Sequence, residues 1–172
     1  GKLRLVLPGP ARLAVPLKAG SLAWSPDASV IAAAYADGAV RMWDTENGRP
    51  LRSPPIATDD AGVLAWSPDG RRLAAARLDG VRIWDVATGR QSTSFTPENG
   101  RWHCSGIGWS PDGKSIATFV ESLQDATRRE VQIWDVAERR LRQRAATRYN
   151  VPHQVRWSAD SRYVAMGTSG AQ

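Results

Sequence analysis

The sequence predicts an all-β protein built from a repeated four-stranded antiparallel unit, and three observations carry that expectation. A tryptophan motif recurs as Ala23-Trp24-Ser25-Pro26-Asp27, Ala65-Trp66-Ser67-Pro68-Asp69-Gly70, Gly108-Trp109-Ser110-Pro111-Asp112-Gly113 and Arg156-Trp157-Ser158-Ala159-Asp160, the tryptophans lying 42, 43 and 48 residues apart. A second marker, Met42-Trp43-Asp44, Ile83-Trp84-Asp85 and Ile133-Trp134-Asp135, follows the first by 19, 18 and 25 residues. Turn chemistry then divides each unit into four short stretches rich in Val, Ile and aromatics. Self-similarity at this period marks a stack of units, none of which buries its apolar face alone. Trp24, Trp43, Trp66, Trp84, Trp109, Trp134 and Trp157 are therefore expected as structural anchors.

In chain order, residues 2–17 have the pattern of the last two strands of a preceding unit. Complete units follow over about 21–56, 62–97 and 105–146, and 153–167 supplies the first two strands of another. The strands of the second unit fall at 63–67, 72–77, 81–85 and 91–95, between turn signals. Pro68 presets φ for the first turn, Asp69 bonds local backbone and Gly70 accepts positive φ. Leu78-Asp79-Gly80, like Ala36-Asp37-Gly38 in the first unit, supplies the Asp-Gly that suits primed hairpin turns. Ala87-Thr88-Gly89-Arg90 and Glu46-Asn47-Gly48-Arg49 close the third hairpins, which completes a four-stranded meander. Ala32-Ala33-Ala34 and Ala74-Ala75-Ala76 are weak strand formers in isolation. They predict a neighbouring sheet so close that small residues must make room for its tryptophans, each burying about 150–250 Å². Four-stranded sheets packed in this way around an axis form a β-propeller.

Trp-Ser-Pro-Asp-Gly, Leu-Asp-Gly and Val-Arg-Ile-Trp-Asp-Val-Ala-Thr-Gly within 66–89 resemble the WD-repeat family, with similar matches over 21–49, 107–140 and 154–167. The resemblance implies a non-catalytic β-propeller that serves as a protein–protein interaction scaffold, cytoplasmic and bacterial, within a larger regulatory or sensor protein. The family's Gly-His pair ahead of the first tryptophan is replaced by Ala14-Val15, Ile56-Ala57, Asn99-Gly100 and Thr147-Arg148, so its His-centred hydrogen-bond network is not expected. Propellers of this family usually have about seven blades, whereas the strand count here is about four blades' worth, three complete blades plus two half-blades. An isolated part-ring leaves open sheet edges, which proteins avoid. Ring completion is expected either by a second copy, most simply a symmetric dimer of eight blades (a homo-oligomer), or by the remainder of a parent propeller. The start at Gly1 and the stop at Gln172 inside a repeat point to a piece of a longer protein.

At 172 residues the chain is long enough to bury a core as one domain. The lone Cys104 excludes an internal disulfide framework and fits a reducing compartment. No apolar run approaches the roughly 20 residues of a membrane span, and no membrane partner is expected. The net charge of +6 is nearly all arginine, Lys2, Lys18 and Lys114 being the only lysines. No metal or cofactor is expected, because His103 and His153 are the only imidazoles and neither pairs with Cys104 at ligand spacing. Asp27, Asp69, Asp112 and Asp160 belong to turns, and Asp44, Asp85 and Asp135 end third strands, where turn and cap hydrogen bonding accounts for them. With no Gly-x-Ser-x-Gly elbow and no phosphate-binding glycine loop, no catalytic residue is assigned.

Two features rise above the repeat. The connection between the second and third strands of the third unit is enlarged, running from Glu121 to Glu130, and the family resemblance puts it on the face that also carries the loops between blades. A partner-binding surface is expected there, from Asp59 and Asp60 ahead of the second unit, Arg101, Trp102 and His103 ahead of the third, and Glu121, Asp125, Arg128 and Arg129 in the enlarged loop. Trp102 lies outside the repeat register. An aromatic beside Arg and His is the composition of interface hot spots, and filling a gap beneath the long loop is the other reading. The second feature is Arg139-Arg140-Leu141-Arg142-Gln143-Arg144, followed by Arg148. Strand alternation would put Arg140, Arg142 and Arg144 on one face. That row, with Arg148, is either a charged edge that blocks aggregation or an RNA- or ribosome-binding surface.

Overall fold

The computed structural model describes residues 19–51, 56–57, 62–78, 80–96, 102–125, 127–148 and 152–168. Along them run β1 (Ala19–Trp24), β2 (Val30–Tyr35), β3 (Ala39–Asp44), β4 (Ile56–Ala57), β5 (Val63–Trp66), β6 (Arg72–Arg77), β7 (Gly80–Asp85) and β8 (Gln91–Phe95). They continue as β9 (Trp102–Trp109), β10 (Ser115–Ser122), β11 (Arg129–Asp135), β12 (Arg140–Thr147), β13 (Pro152–Trp157) and β14 (Val164–Thr168). β1 to β4, β5 to β8 and β9 to β12 each form a four-stranded sheet in sequence order, and β13 pairs with β14 alone. Every pairing is antiparallel, and the sheets do not close into a ring among the described residues. The half-blade expected at 2–17 lies outside the described residues.

One set of bonds locks each first hairpin. The hydroxyls of Ser25, Ser67, Ser110 and Ser158 donate to Asp27, Asp69, Asp112 and Asp160 at 2.5–2.6 Å. They accept the backbone N–H of Val30, Arg72, Ser115 and Tyr163 at 2.9 Å. Each carboxylate also takes the N–H two residues on, at 3.0–3.1 Å. The turn then enters the left-handed region at Ala28 (58°), Gly70 (69°), Gly113 (72°) and Ser161 (59°). In the third hairpins Asp44, Asp85 and Asp135 accept the N–H of Glu46, Thr88 and Glu138 at 2.8–2.9 Å. Gly48 (69°), Gly89 (66°) and Arg139 (55°) supply the left-handed residue there. All seven motif aspartates are thus tied to turn backbone.

Sheet stacks on sheet by one repeated joint. Trp66 clusters with Ala32 and Ala34, Trp109 with Ala74 and Ala76, and Trp157 packs against Ala117 and Phe119. In the first two joints the alanines leave the room that the indoles fill, and in the third Phe119 takes the place of the second alanine. The Trp66 and Trp157 indole N–H groups donate to the carbonyls of Ala23 and Gly108, each the residue before the inner-strand tryptophan of the preceding sheet, at 3.1 and 3.0 Å. Trp134 instead donates to Thr118 Oγ1 at 3.1 Å, within its own sheet. Trp43, Trp66, Trp84, Trp109 and Trp134 are buried and Trp157 is half-buried. Trp24 corrects the expectation of seven anchors: it is 58% exposed, because among the described residues no sheet precedes β1 to cover it.

Candidate interaction surface

Register brings the two ends of the enlarged loop to the end of the third sheet where β9 begins and β12 finishes. Trp102 at the start of β9 faces Ser122, Glu121 faces both His103 and Arg129, and Arg129 faces Thr147 at the end of β12. The loop is braced from within. Ser122 Oγ accepts the N–H of Gln124 and Asp125, both at 3.2 Å. Asp125 accepts the Thr127 N–H at 2.9 Å and its hydroxyl at 2.6 Å, and that hydroxyl bond holds the Asp125 carboxyl below the usual aspartate range. Arg128 N–H closes on the Asp125 carbonyl and Ser122 N–H on the Arg128 carbonyl, each at 3.0 Å. At the base of the loop Arg129 Nε donates to Glu121 Oε1 at 2.8 Å, a half-buried pair that presents little net charge to a partner.

Of the residues expected on this surface, His103, Asp125 and Arg128 are exposed, while Glu121 and Arg129 are half-buried in their ion pair. Trp102 is placed otherwise. It is 3% exposed, belongs to the core between the second and third sheets with Val81, Cys104 and Trp134, and donates its backbone N–H to Leu78 O at 3.3 Å. The Arg128 guanidinium lies 5.4 Å from its ring centroid. Trp102 therefore fills the space beneath the loop, and its face is closed to a partner. Asp59, Asp60 and Arg101 lie outside the described residues. Leu123, which carries no motif, was not expected; it is 51% exposed at the loop tip.

The arginine row is also corrected. Leu141 pairs with Trp134 and Gln143 with Ile133, so Arg142 is the extra residue of a β-bulge. Arg144 then pairs with Gln132, two residues from Trp134, and so shares a face with Leu141, while Arg140 pairs with Asp135 on the other face. Arg140 is further bonded to Glu138 at 2.6 Å. Arg142, Arg144 and Arg148 are exposed but form no single stripe. The same bulge recurs at Ser92, between Ile83↔Thr93 and Trp84↔Gln91, so it belongs to the repeat.

Among the described residues no group of three or more His, Cys, Asp or Glu side chains is placed to hold a metal ion. Burial pushes the Cys104 thiol up to about 12, so it stays protonated at neutral pH. No described helix is long and apolar enough to cross a membrane.

Comparison with known proteins agrees with this architecture. Residues 57–85 match the WD domain, G-beta repeat, and residues 12–69 match the anaphase-promoting complex subunit 4 WD40 domain. The solved structures of U3-55K and of the RRP9 WD40 repeats are each 22% identical to the chain with TM-score 0.70, over 88% of this chain and 44% of theirs. Kuenenia stuttgartiensis hydrazine synthase is 18% identical with TM-score 0.70, over 85% of this chain and 42% of that one. The chain thus spans less than half the length of these structures, and no curated protein matches it. The repeats, the joint that stacks them and these matches give the chain a WD40-type β-propeller fold, with an unclosed part of a ring in the described residues.

Proposed function

We propose that the chain is a non-catalytic interaction module, a cytoplasmic WD-repeat segment of a larger bacterial regulatory or sensor protein that docks protein partners on the loop end of its sheets. One observation carries the reading: the 121–130 loop is braced by its own hydrogen bonds yet turns Leu123 and Arg128 to solvent at the end that also exposes His103. A rigid loop docks at little entropic cost. Asp59, Asp60 and Arg101 are assigned to the same surface by their places ahead of β5 and β9. The motif aspartates support a structural role, since each is occupied by turn backbone.

A protein captured on the chain from its source cells should rebind the Leu123→Asp, Arg128→Ala double variant about tenfold or more weakly, with the melting temperature little changed. Equal binding by the variant would overturn the proposal. Nucleic acid is the competing ligand, favoured by the +6 charge and by exposed Arg142, Arg144 and Arg148. Steeply salt-dependent binding that Arg142→Ala with Arg144→Ala abolishes, and the loop variant leaves intact, would establish that reading instead.

A further inference from the structure

We infer that the outer edge of the third sheet, strand β12, takes an extended acidic segment of a partner protein as a fifth strand. It is a second surface, along the rim of the sheet rather than on its loop, and stands without docking there.

In the order β12-β11-β10-β9, β12 is outermost, so its open edge belongs to a complete four-stranded sheet. Among the described residues β11 is the one strand that it lies against at length. Past the bulge at Arg142 the pairing runs residue for residue from Gln143↔Ile133 to Thr147↔Arg129, a regular stretch of five. On such an edge alternate residues turn their N–H and C=O away from the sheet, which is the template another strand reads. Ala145 and Ala146, both exposed, keep the centre of the stretch clear of large side chains. The sister edge β8 offers less: past its own bulge only Thr93, Ser94 and Phe95 stay in register, and none is charged.

Charge selects the occupant. Residues 139–148 hold five arginines and no acid. Arg140 is bonded to Glu138, whereas Arg142, Arg144 and Arg148 turn their charge to solvent. Like charge turns away the same edge of a second copy, and an acid-bearing strand is attracted instead. The segments of this chain outside the described residues hold only Asp59, Asp60, Asp79 and Glu98 as acids, too few and too scattered for such a strand. Two things favour a peptide over a phosphate backbone. The open edge alternates donors with acceptors, and phosphate oxygens satisfy the donors alone. Arg144 also lies on the face of Gln132 and Arg140 on that of Asp135, so no single row of phosphates meets both, while a fifth strand carries side chains on both faces.

The probe is a capped, fluorescein-labelled peptide, Glu-Val-Glu-Glu-Val-Glu, which as a strand puts glutamates on both faces. It should bind the chain in an anisotropy titration, and Lys-Val-Lys-Lys-Val-Lys should not. Arg144→Glu with Arg148→Glu should weaken the binding about tenfold or more, with the melting temperature little changed; Arg142→Ala with Arg144→Ala is the milder pair should the first not fold. The acidic peptide N-methylated at each amide keeps its charge but loses its backbone donors, and should no longer bind. Amide hydrogen exchange should slow between Gln143 and Thr147 when the unmethylated peptide is added. No binding, equal binding by the methylated peptide or by the arginine variants, slowed exchange only in other strands, or an oligouridylate of equal charge that binds more tightly than the peptide would overturn the inference.

Discussion

Replacing Gly108 by Ala should strain the joint between the third and fourth sheets. An added Cβ would sit 2.8 Å from the Val155 carbonyl oxygen and 3.5 Å from Trp157 Cδ1. Neither neighbour swings away freely, since the oxygen is backbone of β13 and the indole is held by its 3.0 Å bond to the Gly108 carbonyl. The two sheets must part, which loosens the packing of Val155, 1% exposed. Overpacking of this kind costs about 1–3 kcal/mol. The better strand conformation of Ala returns about 0.5–1 kcal/mol, which leaves a net loss of about 0–2.5 kcal/mol, centred near 1 kcal/mol. Gly167→Ala is the matched control: it has open space around it, and Ala34 and Ala76 occupy the equivalent place in the first two sheets. It should be neutral or slightly stabilising. Urea melts followed by tryptophan fluorescence compare the two, and a Gly108→Ala chain as stable as wild type, or a Gly167→Ala chain equally damaged, would refute the close approach.

Trp84→Ala empties a buried site shared with Trp66 and Leu73, and should cost about 3–5 kcal/mol in the same melts; a loss under about 1 kcal/mol would show the blade register to be wrong. Ala28, Arg139 and Ser161 hold the left-handed φ that glycine holds in the sister turns, so Ala28→Gly, Arg139→Gly and Ser161→Gly should each stabilise by up to about 1 kcal/mol, and a drop in melting temperature on all three would count against the argument. The hydroxyls of Ser25, Ser67, Ser110 and Ser158 hold Asp27, at about 2, and Asp69, Asp112 and Asp160 below the ordinary 3.8. Depressed carboxylates stabilise the fold in full above the unfolded value and lose that contribution as the pH falls through the folded one. The melting temperature should therefore fall from about pH 4 to about pH 2, with a shallower slope in Ser67→Ala and Ser110→Ala; an unchanged slope would contradict the assignment.

What was legible in the sequence is what the repeat settles locally. Ser-Pro-Asp-Gly closes its hydrogen bonds within five residues, so the turn can be read wherever the motif stands, and even Ala28 and Ser161 keep its geometry without the glycine. The alanine runs were legible for a related reason, since the first two joints leave the same small residues in their receiving faces, while the third keeps only Ala117 and has Phe119 in the second place. Trp102 admits two readings because what lies around it, Leu78 between β6 and β7 and Arg128 in the loop above, is not revealed by its neighbours in sequence. The arginine row failed differently: alternation was the right rule, but a bulge at Arg142 shifted its phase, and the only signal for it was the matching bulge at Ser92.

Trp24 shows where local reading stops. Its motif matches that of Trp66 over five residues, yet one indole is 58% exposed and the other 9%. Burial in a stack is a property of the neighbouring sheet rather than of the strand that carries the side chain. A repeat that specifies its own turns and faces therefore leaves one thing to position, namely which faces meet nothing. Leu22 and Trp24 at one end and Ala165 and Gly167 at the other are ordinary joint residues by sequence. Only the absence of an adjacent sheet among the described residues turns them into a surface, and for that reason no residue type could have marked them as one.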